Sequence, residues 1–69
     1  MITKIGIVAG EVWHLLEKKD KIGLEDIVKS IESPREVVLM SVGWLAREGH
    51  VILEGKAPDY VVSLRKKKG

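Results

Sequence analysis

Over residues 3–19 the apolar positions Ile5, Val8, Ala9, Val12, Leu15 and Leu16 recur at helical spacing, with Glu11, Glu17 and Lys18 opposite them. This is the pattern of a helix with one buried stripe. Lys21, Ile22 and Gly23 then form a short extended break. Leu24, Ile27, Val28 and Ile31 follow at i, i+3, i+4 and i+7 spacing and predict a second, short helix. Glu25 and Asp26 fall in its first turn, where the helix dipole favours carboxylates.

Ser33-Pro34-Arg35-Glu36 carries a start signal for a third helix: a Ser N-cap, Pro at the first helical position and Glu three residues after the cap, a capping box. Val38, Val42 and Leu45 make its inward stripe, and Gly49 is placed to end it in a left-handed cap. From His50 the period changes to two. Val51 and Leu53 alternate with Ile52 and Glu54, residues 55–59 supply turn chemistry, and Tyr60, Val62 and Leu64 alternate again. The pattern predicts a β-hairpin closing on the core.

The resulting order is helix, strand, helix, helix, strand, strand. A helix-turn-helix followed at once by a two-stranded wing is an α+β winged helix-turn-helix, with the third helix in the recognition position. We expect residues 1–64 to form that domain and residues 65–69 a disordered basic tail.

A chain of 69 residues supports one modest core, because domains this short bury only about 60% of their unfolded surface. Cysteine is absent, and the two histidines, His14 and His50, have no paired ligand candidates near them, so neither a disulfide nor a zinc site supplies the missing stability. Packing and self-association are left. No signal peptide or long apolar run is visible, so a cytoplasmic protein is expected, with no membrane partner. Asn and Gln are absent too, while 32% of residues are charged, a balance that fits heat-adapted proteins.

The formal charge of +2 is unevenly placed. Arg65, Lys66, Lys67 and Lys68 hold four of the twelve basic residues; the rest of the chain carries eight against ten acidic ones, a net of −2. Winding residues 34–48 at about 100° per residue directs Val38, Ser41, Val42 and Leu45 inward. It leaves Glu36, Val37, Leu39, Met40, Gly43, Trp44 and Arg47 outside. Base reading in the major groove uses Arg or Lys toward guanine and Asn or Gln toward adenine. This outer arc is instead largely apolar, with Arg47 its one positive charge. A different helical phase would return some of Val37, Leu39, Met40 and Trp44 to the core, although a straight helix cannot bury every side.

Gly6 and Gly10 each cost about 1 kcal/mol inside a helix. Spaced four apart, they lie on one flank near Trp13. There they allow close approach either of another part of the same domain or of another chain. A homodimer through Val37, Leu39, Met40, Gly43 and Trp44, joined by Gly6, Gly10 and Trp13, is the leading expectation, since tryptophan is enriched in interface hot spots. The alternative is a DNA-associated regulator that contacts the phosphate backbone through Arg35, Lys56, Arg65, Lys66, Lys67 and Lys68, weakly specific and salt-dependent. An enzyme is not expected: the serines lack visible His and acid partners, no metal-ligand pattern or phosphate loop occurs, and no cofactor or small-molecule substrate is indicated.

The segments Ile5-Gly6-Ile7-Val8-Ala9-Gly10-Glu11-Val12-Trp13 and Val42-Gly43-Trp44-Leu45-Ala46-Arg47-Glu48-Gly49 resemble a family of short winged helix-turn-helix domains of unknown function. The resemblance spans nearly the whole chain. It implies a winged helix, homodimers, and a DNA-binding label inherited from architecture; it supplies no catalytic or ligand residue.

Overall fold

Helix α1 (Ile2–Lys19) forms where the sequence places its apolar stripe: Val8, Ala9, Val12 and Leu16 are buried, while Ile5 and Leu15 are half-buried at its edges. Lys18 and Lys19 occupy its last turn, where the dipole favours cations. Asp20 stops it in a left-handed conformation, φ 72°, with its amide donating to the Leu16 carbonyl at 2.7 Å. Asp is among the few side chains that tolerate this conformation. The computed structural model describes residues 2–57 and 59–65. After α1 come β1 (Lys21–Gly23), α2 (Leu24–Ser30), α3 (Arg35–Arg47), β2 (Val51–Lys56) and β3 (Asp59–Leu64), in the order expected for a winged helix-turn-helix.

The start of α3 departs from the sequence reading by one residue. Pro34 is the cap, extended at ψ 142°, and its carbonyl accepts the Val37 and Val38 amides at 3.0 and 3.1 Å; no side chain caps the helix. The proline ring fixes φ near the value both helix and extended chain require, so φ alone could not place the boundary. With Pro34 as cap, Glu36 stands at the second helical position rather than the third, and Pro34 has no N–H for a capping box to close on. The C-terminal end is as expected. Gly49, φ +79°, donates to the Ala46 carbonyl at 3.1 Å and His50 to the Leu45 carbonyl at 2.9 Å, the paired bonds of a Schellman turn.

The sheet has the order β1-β3-β2, antiparallel throughout. β1 pairs Lys21 with Ser63, Ile22 with Val62 and Gly23 with Val61. The hairpin pairs Val51 with Leu64 at its base and Lys56 with Asp59 at its tip. Gly55 is required there: at φ +102° its Cβ would lie 2.6 Å from the Asp59 carbonyl oxygen. Only the base of the hairpin closes on the core. Val51 and Val62 are buried, but Leu53, expected to face inward, is 43% exposed although it pairs with the buried Val62, because β2 is the edge strand of the sheet and β3 lies between it and β1.

The core lies between α1, α3 and the inner face of the sheet, with Ile27 and Ile31 supplied from α2 and its cap. Ser41 is fully buried, its hydroxyl donating to the Val37 carbonyl at 2.7 Å and lying 3.2 Å from the Ile5 carbonyl of α1. Val37 corrects the helical wheel: placed on the outer arc by the sequence, it is 3% exposed and belongs to the core. The first turn of α3 is held against α2 as well as α1, so its buried arc is wider there than the roughly 100° that one neighbour requires.

Candidate interaction surface

With Val37 turned inward and Leu39 half-buried, the exposed residues of α3 are Arg35, Glu36, Met40, Gly43, Trp44 and Arg47. Met40 and Trp44 are 41% and 47% exposed, large apolar groups one helical turn apart. Beside Trp44 a shallow groove of about 450 Å³ runs along α1, lined by Gly6, Ala9, Gly10, Trp13, Leu45 and His50. Trp13 is half-buried and meets the edge of the His50 ring, with centroids 4.9 Å apart and planes at 67°. That edge-to-face contact fixes one wall of the groove. Thus Gly6, Gly10, Trp13 and Trp44, far apart in sequence, line one surface.

His50 was not among the interface residues expected from sequence. It reaches the groove because the Schellman turn at Gly49 folds the chain back over α1. His14 lies at the groove's rim, its Nδ1 3.3 Å from a Glu17 carboxylate oxygen, and both side chains are mostly exposed.

The helix glycines are open in the single chain. A Cβ built on Gly6, Gly10 or Gly43 would meet nothing within 4 Å. Close packing inside the domain therefore requires none of them. Each nonetheless weakens its helix by about 1 kcal/mol relative to alanine.

The residues expected to hold a phosphate backbone are dispersed. Arg35 is engaged in a bidentate ion pair with Glu25 of α2, at 2.6 and 2.7 Å. The hydrogen bond from Arg35, aided by its charge and that of Lys29, holds the Glu25 carboxyl below its ordinary pKa against a smaller opposing effect of desolvation, and the same pair raises Arg35. Arg35 thus ties α3 to α2. Lys56 stands at the wing tip, while Arg65 follows the other end of β3, its amide donating to the His50 carbonyl at 2.9 Å. Lys66, Lys67 and Lys68 lie outside the described residues. Among the described residues no cluster of three or more His, Cys, Asp or Glu side chains is arranged to hold a metal ion, and no helix is long and apolar enough to cross a membrane.

Residues 1–64 match the model of a family described as a winged helix-turn-helix domain (DUF2582). The uncharacterized protein MJ1608 of Methanocaldococcus jannaschii is 34% identical over 67 residues, covering 94% of this chain and 96% of that relative. The solution NMR structure of protein BT2368 from Bacteroides thetaiotaomicron is similar at a TM-score of 0.77 and 32% identity, over 90% of this chain and 76% of that one.

Proposed function

We infer, from the premise that this chain belongs to the winged helix-turn-helix family (DUF2582), that it works as a homodimeric regulatory module whose recognition-position helix contacts a second copy of the chain. The observation that carries this reading is the open space above Gly6, Gly10 and Gly43, next to the half-exposed Trp44 and Met40. Three helix-weakening residues face solvent in the isolated domain and permit a backbone or an indole ring to approach in an assembly. A two-fold axis would set the same surface of each copy against the other, withdrawing Met40 and Trp44 from water. Burial of a large apolar side chain contributes about 1.5–3 kcal/mol, a substantial fraction for a domain of this size. Met40, Gly43, Trp44, Gly6, Gly10 and Trp13 form the proposed interface; Leu39 lies at its edge and Val37 supports it from the core.

Sedimentation velocity across a wide concentration range tests this reading. The wild type should sediment as a dimer and Trp44→Lys as a folded monomer. A wild type that stays monomeric at every concentration, with Trp44→Lys equally stable, overturns it. The winged-helix fold also supports regulatory nucleic-acid binding. With Arg35 held by Glu25, such contact would not use the start of α3.

A further inference from the structure

Four exposed positions of α3 fall on one line. Glu36, Met40, Gly43 and Arg47 follow one another in steps of four, three and four residues, and at about 100° per residue they lie within about 60° of arc. Steps of four and three make the seam along which two helices pack side by side. The steps read the same from either end, so the line is symmetric about its midpoint, between Met40 and Gly43. Its charge is not symmetric: an acid stands at one end and a base at the other.

The helix dipole favours Glu36 in the first turn and Arg47 in the last. It sets no angular position, and so does not account for their sharing a line with Met40 and Gly43. The fold does not pair them either. They are about 16 Å apart along their own helix, and neither forms an ion pair among the described residues. Arg35, about 110° away from the line, is held by Glu25.

A second copy laid antiparallel about the midpoint sets Glu36 of each chain against Arg47 of the other. The same operation sets Met40 of each over Gly43 of the other, where the space a Cβ would take is open. A parallel pair would instead set Glu36 against Glu36 and Arg47 against Arg47, and like charges brought together oppose association. The two-fold axis keeps each flank of the helix on its own side. Trp44, which borders the line next to the α1 groove, therefore lies on the same side of the pair in both copies, together with the two glycine flanks of α1.

We propose that the occupant of this face is a second copy of the chain with its α3 antiparallel, and that the two Glu36–Arg47 contacts between chains select this orientation. The inference rests on the homodimer reading and adds to it the direction and the register of the contact. Met40 fills the space that the missing side chain of Gly43 leaves, and the charges at the two ends exclude the parallel arrangement.

The test is a charge swap followed by sedimentation equilibrium of the full chain. Glu36→Arg and Arg47→Glu each turn two attractive contacts per dimer into two repulsive ones, and each should weaken association about tenfold. The double variant, Glu36→Arg with Arg47→Glu, restores both contacts with their signs exchanged and should dimerise within about threefold of the wild type. An equimolar mixture of the two single variants should form a one-to-one dimer, because one carries two arginines on the seam and the other two glutamates. Circular dichroism melts confirm that each variant is folded. If the wild type dimerises and Trp44→Lys is monomeric, but the single charge variants associate as the wild type does, the register is overturned and the homodimer stands. Failure of both the double variant and the mixture to recover association likewise overturns the register. A wild type that is monomeric at every concentration overturns the register and the homodimer together.

Discussion

Replacing Gly10 by alanine distinguishes a helix face that is free from one that a second chain covers. In the isolated domain the added methyl meets nothing within 4 Å, so the substitution should only strengthen α1, by about 1 kcal/mol. For a chain of this size that raises the melting temperature by about 4–8 °C. In the proposed dimer the methyl enters a close contact, and overpacking costs about 1–3 kcal/mol per site. Two-fold symmetry applies that cost twice, so dissociation should rise at least about tenfold, since 1.4 kcal/mol is one decade.

Melting temperature measured by calorimetry at low micromolar and near-millimolar concentration reads the difference, because association makes the wild-type value concentration-dependent. Gly10→Ala should melt above the wild type when both are dilute and lose that advantage when both are concentrated. Gly6→Ala should behave alike. If both alanine variants are stabilised by the same amount at every concentration, the glycine flank is a solvent-exposed helix face and its role in dimerisation is refuted.

The core makes a simpler prediction: Leu16→Ala removes a fully buried side chain and should cost about 2–5 kcal/mol by urea denaturation, a large share of what so small a domain has. Gly55→Ala places a Cβ 2.6 Å from the Asp59 carbonyl at positive φ and should cost about 1–3 kcal/mol, seen as a lower urea midpoint. Glu25 is held below its ordinary pKa by Arg35, so its contribution to stability is complete above the unfolded carboxyl value and is lost as pH falls through the lower folded value. Glu25→Gln should therefore flatten the acid limb of a plot of melting temperature against pH, leaving behind only the slope due to other carboxyls.

Most of the architecture is local in origin, which is why the sequence discloses it. The stripe of α1, the first-turn acids of α2, the left-handed Gly49 and the hairpin turn each depend on neighbours within about one turn of the chain. The departures arise where distant parts meet. Val37 is buried because α2 and α1 both press on the first turn of α3, which a helical wheel cannot represent. Leu53 alternates correctly yet remains exposed, since period-two patterning does not record which strand lies at the edge of the sheet. His50 joins Trp13 through the turn at Gly49. The openness above the helix glycines could be established only once the neighbours of each were known.

The central claim is that the outer face of α3 meets a second copy of the chain. Its most direct test is the solution mass of the wild type beside Trp44→Lys, by sedimentation equilibrium from micromolar to near-millimolar concentration. The expected result is a wild-type mass twice the 7.7 kDa of one chain and a folded Trp44→Lys variant at the single-chain mass. A wild type at 7.7 kDa throughout, or a Trp44→Lys variant that dimerises as well as the wild type, contradicts it.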